Sequence, residues 1–164
     1  MKPTKEDLVT RYVNLVYYFA IRWANKPDVD DIVQETYVRA FKAYDAFRYT
    51  AENQLKSWLL TICRNVTIDI HALKRNVVHV EEIQDISISE QDVDSWLAIE
   101  IQKEDIARLN NEFNTIPSID RDILRLRFYE NLSFKDIGNI LQVPVPAAKM
   151  RCYRALNRLK EKLI

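Results

Sequence analysis

The stretch VPVPAAKMRCYRALNRLKEKL, Val143 to Leu163, carries Lys149, Arg151, Arg154, Arg158, Lys160 and Lys162 on what reads as a single helix. Pro146 suits the first turn of that helix, where its missing N–H is not needed. At about 100° per residue, Ala148, Cys152, Ala155, Leu156, Leu159 and Leu163 share a buried arc, and Lys149, Met150, Tyr153, Arg154 and Asn157 fall opposite. The chemistry open to such a face is polyanion recognition. A helix fits the DNA major groove, where Lys and Arg pair with guanine edges or phosphates. A plainer reading makes it an amphipathic helix with a solvated basic face. The residues ahead of it weigh against that reading. Ser133 and Asp136 have capping-box spacing, Ile137 and Leu141 face a core, Gly138 is small enough to let two helices approach, and Val143 and Pro144 make a turn. This is the layout of a helix-turn-helix.

A second polar constellation lies in DVDDIVQETYVRAF, Asp28 to Phe41. Asp28 can cap a helix whose buried stripe is Ile32, Val33, Thr36, Tyr37, Ala40 and Phe41, which leaves Asp30, Asp31, Gln34, Glu35 and Arg39 on its polar face. Two further helices must hold that one in place. Thr4 and Asp7 form a capping box for a helix to about Asn25, with Leu8, Tyr12, Leu15, Val16 and Phe19 at helical spacing and Pro27 as its stop. After the loop DAFRYTAEN, a helix from about Gln54 to Arg75 turns Trp58, Leu59, Ile62, Val66 and Ile70 inward. Downstream, Trp96 to Phe113 has a helical pattern, and Pro117 restarts a helix that runs to Phe128 or Tyr129.

The 164 residues include one glycine, Gly138, and 48% hydrophobic side chains, a composition that favours an all-α fold with real cores. The formal net charge of zero conceals an uneven distribution. Residues 1–76 hold 12 Lys+Arg against 9 Asp+Glu, residues 77–105 hold 1 against 9, and residues 106–164 hold 11 against 6. The chain is therefore expected to be two small helical domains, 1–76 and 95–164, joined by an acidic flexible linker at 77–94. An acidic surface loop with no partner is the alternative for that strip. Cys63 and Cys152 have no metal-ligand spacing and read as reduced core thiols. No Gly-rich phosphate loop exists and no motif organises His71 or His79. We expect no enzyme activity, no cofactor, no metal and no small-molecule substrate. The amino terminus lacks the apolar core of a signal peptide and no stretch of about 20 apolar residues occurs, so a cytoplasmic protein without membrane insertion is expected.

With these residues in view, the chain resembles the extracytoplasmic-function (ECF) sigma factors, the smallest two-domain members of the bacterial sigma factor family. DVDDIVQETYVRAFKAYDAF is similar to the family's core-polymerase-binding helix, and KSWLLTICRNVTIDIHALKR to its −10 helix. IPSIDRDILRLRFYENLSFKDIGNILQVPVPAAKMRCYRAL is similar to the domain that reads the −35 element. The resemblance implies core-polymerase contacts at Asp31, Gln34 and Glu35. It implies −10 roles for Trp58 and Asn65, and for Phe47 and Tyr49 in the loop where the family captures an extruded base. Lys149, Met150, Arg151, Tyr153 and Arg154 match positions at the −35 groove. Trp58 and Phe47 also read as packed rings, and Asn65 as a structural hydrogen-bonding group. The acidic linker resembles the segment that threads the RNA exit path.

Two departures from the pattern stand out. Gln142 occupies the turn where the family usually has glycine, and Pro146 to Arg151 replaces its usual Gly-Thr-Val-Lys-Ser-Arg opening. The loss of two hydroxyls points to a less common −35 sequence. A neutral chain with two weakly basic modules should bind free duplex poorly, and core RNA polymerase would supply the missing affinity by holding both modules together. The implied partners are core RNA polymerase, promoter DNA and an anti-sigma factor. An autonomous, dimeric helix-turn-helix regulator is the competing reading, and it leaves the polar face of Asp31, Gln34 and Glu35 unexplained.

Overall fold

The computed structural model describes residues 1–74 and 111–163, and every regular element among them is helical. Helix α1 (Lys5–Trp23) begins with a complete capping box: Asp7 N–H donates to Thr4 Oγ1 at 3.1 Å, and Thr4 N–H donates to Asp7 Oδ2 at 2.9 Å. The bond from Thr4 N–H holds the Asp7 carboxyl below its usual range. A 3-10 turn at Lys26–Asp28 leads into helix α2 (Val29–Tyr44). Asp28 does not cap it as the sequence suggests. The turn draws Asp28 into the interior and its side chain makes no cap bond, while Asp30 and Asp31 occupy the first turn as expected.

Helix α3 (Glu52–Lys74) starts two residues earlier than its apolar pattern predicts. Gln54 Oε1 reaches back to accept from Thr50 N–H at 2.8 Å and Thr50 Oγ1 at 2.5 Å, which fixes the entry and shortens the preceding loop to Asp45–Ala51. The buried stripe of α3 is also rotated. Leu55, Leu59, Cys63 and Val66, at spacings of three and four, face inward with Leu60, whereas Trp58, Ile62 and Ile70 lie half-buried at the flanks. Each of α1, α2 and α3 packs on the other two. Full burial of side chains such as Leu8, Ile32 and Leu59 is worth about 1.5–3 kcal/mol each. Two buried hydroxyls are paired with backbone carbonyls: Tyr37 Oη donates to Leu8 O at 2.9 Å and Thr67 Oγ1 to Cys63 O at 2.8 Å. Burial pushes the Cys63 thiol up to about 11. Both cysteines are buried thiols outside any disulfide, as the sequence predicts.

In the second half, residues 111–115 are helical and Pro117 precedes helix α4 (Ser118–Leu124). That helix runs to Tyr129, but its last segment, Arg125–Tyr129, widens into a π turn that no periodicity announced. Glu130 N–H reaches back five residues to Arg125 O at 3.1 Å, and Leu132 N–H reaches Leu126 O at 3.0 Å. Helix α5 (Phe134–Leu141) starts at Ser133, whose Oγ accepts from Asp136 N–H at 3.1 Å, the forward half of the expected capping box. Helix α6 (Val145–Leu163) packs against both α4 and α5.

The turn between α5 and α6 is made at Gln142, whose φ of 55° and ψ of 46° are left-handed. An L-residue in that region costs about 1–2 kcal/mol that glycine avoids. Gln142→Gly should therefore stabilise the chain by about 0.5–1 kcal/mol, after allowing for the larger entropy glycine loses on folding. Urea unfolding monitored by circular dichroism checks this; a lowered midpoint at unchanged slope would show that the glutamine side chain outweighs the backbone strain.

The chain divides into two compact units, Met1–Glu81 and Glu82–Ile164. The expected linker at 77–94 and nearly all of the helix expected over Trp96–Phe113 lie outside the described residues.

Candidate partner and nucleic-acid interfaces

The polar face of α2 is built as a solvent-facing strip because its opposite side, Ile32, Val33, Thr36 and Ala40, is buried against α1 and α3. Asp31 and Gln34 are exposed. Glu35 is held: Arg39 Nε donates to its Oε1 at 3.1 Å, and Arg39 Nη1 donates to Asp69 Oδ2 on α3 at 2.7 Å. The hydrogen bonds Arg39 gives to Asp69 and then to Glu35 raise its pKa further, and the guanidinium bridges the two helices. Asp30 accepts from Tyr17 Oη at 2.9 Å, and this bond raises the phenol's pKa. Sequence spacing could have found the Glu35–Arg39 pair, which is i, i+4, but nothing local points from Arg39 to Asp69.

The loop Asp45–Ala51 leaves α2 beside an aromatic stack. Phe47 lies 4.4 Å from Trp58 between ring centroids at an interplanar angle of 30°, and Tyr44 lies 6.0 Å from Trp58. Of the two readings open for Phe47 and Trp58, the structure places the rings on one another, each half-buried. Tyr49 and Asn65 are likewise half-buried. Tyr12 spans the floor of this end, donating from Oη to Glu52 Oε1 at 3.2 Å. Burial and the Glu52 charge push its phenol up to about 12.

On α6 the structure corrects two of the five assigned positions. Met150, placed on the outward face by the 100° wheel, is 3% exposed. A helix held between α4 and α5 buries a wider arc than the single stripe a wheel assigns. Arg151 turns back to α4, where Nη1 donates to Asp120 Oδ1 at 3.0 Å, and the two side chains are only 16% and 13% exposed. Its charge is thus committed within the fold. Lys149 and Tyr153 are half-buried and Arg154 is exposed, so three of the five assigned residues remain on the outward side of α6. Gly138 sits where α5 meets the turn: a Cβ on it would lie 2.8 Å from Val143 O, so the close approach is to the turn backbone.

Comparison with known proteins assigns both halves. Residues 8–77 match the family profile of sigma-70 region 2, and residues 113–161 that of sigma-70 region 4. The chain is 27% identical to the ECF RNA polymerase sigma-E factor of Haemophilus influenzae over 164 residues, covering 95% of this chain and 85% of that protein. It is also 27% identical to the ECF RNA polymerase sigma-E factor of Escherichia coli K12, over 95% of this chain and 84% of that protein. Among solved structures, the sigma factor RpoE of Bartonella quintana, in complex with the anti-sigma factor NepR, matches with a TM-score of 0.59 at 23% identity. That match covers 96% of this chain and 95% of that one. CnrH in complex with the cytosolic domain of CnrY matches with a TM-score of 0.53 at 22% identity, over 96% of this chain and 85% of that one.

A three-helix region 2 followed by a region 4 with a helix-turn-helix defines a two-domain sigma-70 protein. Relatives that span nearly the whole chain narrow the class: the protein belongs to the extracytoplasmic-function sigma factors.

Proposed function

We propose that this chain is an alternative sigma factor that binds core RNA polymerase through Asp31, Gln34 and Glu35 on α2 and carries it to promoters defined by −10 and −35 elements. The observation that carries the reading is the α2 face: a row of acidic and amide groups left in solvent on a helix whose other side is fully buried. An autonomous operator-binding protein has no use for that face. The last helix reads the −35 duplex through Lys149, Tyr153 and Arg154, and the loop Asp45–Ala51 takes up an extruded −10 base. Because Phe47 and Trp58 already stack on each other, Tyr49 is the ring of that loop best suited to meet a base.

The protein acts by binding alone, and its place of work is the cytoplasm. Among the described residues no helix is long and apolar enough to cross a membrane. The sigma factor RpoE above is bound to the anti-sigma factor NepR, and an inhibitor of that kind is the partner expected here in the absence of its inducing signal.

Run-off transcription with reconstituted holoenzyme on promoters mutated singly through the −35 element tests the DNA reading. Arg154→Ala should cost about 1–3 kcal/mol on the cognate element and relax the preference at one base pair. Lys149→Ala should do the same if it meets a base edge and weaken all sequences alike if it meets a phosphate. Wild-type activity and preference in both variants would mean that α6 does not read the promoter.

A further inference from the structure

The residues ahead of the Thr4 cap, Met1 to Pro3, carry no motif, yet one of them crosses to the far end of α2. Lys2 Nζ donates to Tyr44 O at 2.6 Å and to Phe47 O at 2.8 Å, and its ammonium sits 4.3 Å from the centroid of the Tyr44 ring. The Tyr44 hydroxyl donates to Pro3 O, and Lys5 Nζ lies 3.5 Å from Asp45 Oδ2. The last carbonyls of a helix have no partner within it and lie at its negative end, so an ammonium is well suited to tie them. Tyr44 O already accepts from Phe47 N–H at 3.0 Å. Lys2 adds the Phe47 carbonyl, which belongs to the loop and not to the helix. One cation therefore fastens the end of α2 to the first turn of Asp45–Ala51, on the side where Phe47 stacks on Trp58.

We propose that Lys2 is a positioning residue for promoter opening: it holds the start of the Asp45–Ala51 loop in the shape that receives an extruded −10 base. This role rests on the assignment of that loop to the −10 element made above. The three-helix core does not depend on Lys2. Tyr44, itself a buried residue of that core, remains covered through Pro3 and Trp58. What Lys2 supplies is the placement of one loop carbonyl through a charge-assisted bond.

The test compares Lys2→Met, which keeps an unbranched apolar stem but no donor, with Lys2→Arg, which keeps the cation, in holoenzyme assembled from the full chain and core RNA polymerase. Lys2→Met should slow open-complex formation on a duplex promoter about tenfold, as expected for a lost hydrogen bond from a charged group. It should also flatten the base preference at the extruded −10 position, with core affinity, −35 preference and helical content kept within error. Lys2→Arg should restore both rate and preference. Wild-type rate and preference in Lys2→Met overturn the proposal, and so does a loss of core affinity in step with the loss of opening, which would make Lys2 part of the fold alone. Tyr49→Ala separates the two layers. If it slows opening while Lys2→Met does not, the clasp fails and the loop assignment stands; if it leaves opening untouched, the loop assignment fails and the role of Lys2 with it.

Discussion

Combining Gln34→Ala with Glu35→Ala should abolish capture of core RNA polymerase at concentrations where the wild-type chain saturates it, with helical content unchanged. Gln34 is exposed on the outer side of α2 and supports nothing within the fold that its amide must satisfy. Glu35 is bound to Arg39, but removing its carboxylate leaves Arg39 with Asp69 at 2.7 Å, so no cation is stranded. The pair is well exposed, 38% at Arg39 and 44% at Glu35, and a surface i, i+4 pair is worth about 0.3–0.5 kcal/mol. The interface is expected to lose far more, because polar groups at the centre of an interface cost several kcal/mol when their partners are left unpaired. A competition assay against labelled wild-type protein for core polymerase, run beside circular dichroism, decides it. Equal competition by the double variant would remove the α2 face from the polymerase interface.

Gly138→Ala should destabilise the second unit rather than improve it. Within a helix, Ala normally gains about 1 kcal/mol over Gly. Here the added Cβ would stand 2.8 Å from the Val143 carbonyl, and that carbonyl cannot simply retreat, because Val143 N–H is itself bonded to Gly138 O at 3.0 Å. To relieve the contact the turn must open, and with it the seat of α6 on α5. Overpacking of this kind costs about 1–3 kcal/mol, which exceeds the propensity gain. Transcription from promoters that depend on the −35 element should fall in parallel with the stability of the second unit, while core binding through α2 is retained. Urea unfolding and pull-down with core polymerase measure the two arms. A variant more stable than the wild type would show that the turn has slack the geometry hides.

The two predictions differ in how far the sequence alone reaches. The α2 strip is readable because amphipathicity is a local property: with Ile32, Val33, Thr36 and Ala40 fixed inward by 3.6-residue periodicity, Asp31 and Gln34 have nowhere to point but outward. The caps at Thr4 and Ser133 are local in the same sense, since each is a bond between groups three residues apart. So is the need for a small residue at position 138: a Cβ there would stand 2.8 Å from the Val143 carbonyl and 3.7 Å from the side chain of Val145, the first residue of α6.

The sequence by itself determined that the regular elements among the described residues are helices, that the two parts occur in this order, where most helices start, and which strip of α2 meets solvent. Each follows from forces acting over one or two turns of chain. Tertiary structure alone decided how the long side chains spend their charge and their rings. Arg151 pairs with Asp120, 31 residues away, Arg39 with Asp69, 30 residues away, and Lys2 with carbonyls more than 40 residues on. Met150 is buried because α6 is held between two helices, and Phe47 stacks on Trp58 because a loop and a helix meet there. A helical wheel records one buried direction per helix and no partner in space. Which of several cations stays free to meet DNA is settled only when the fold brings particular acids and carbonyls within reach of the others.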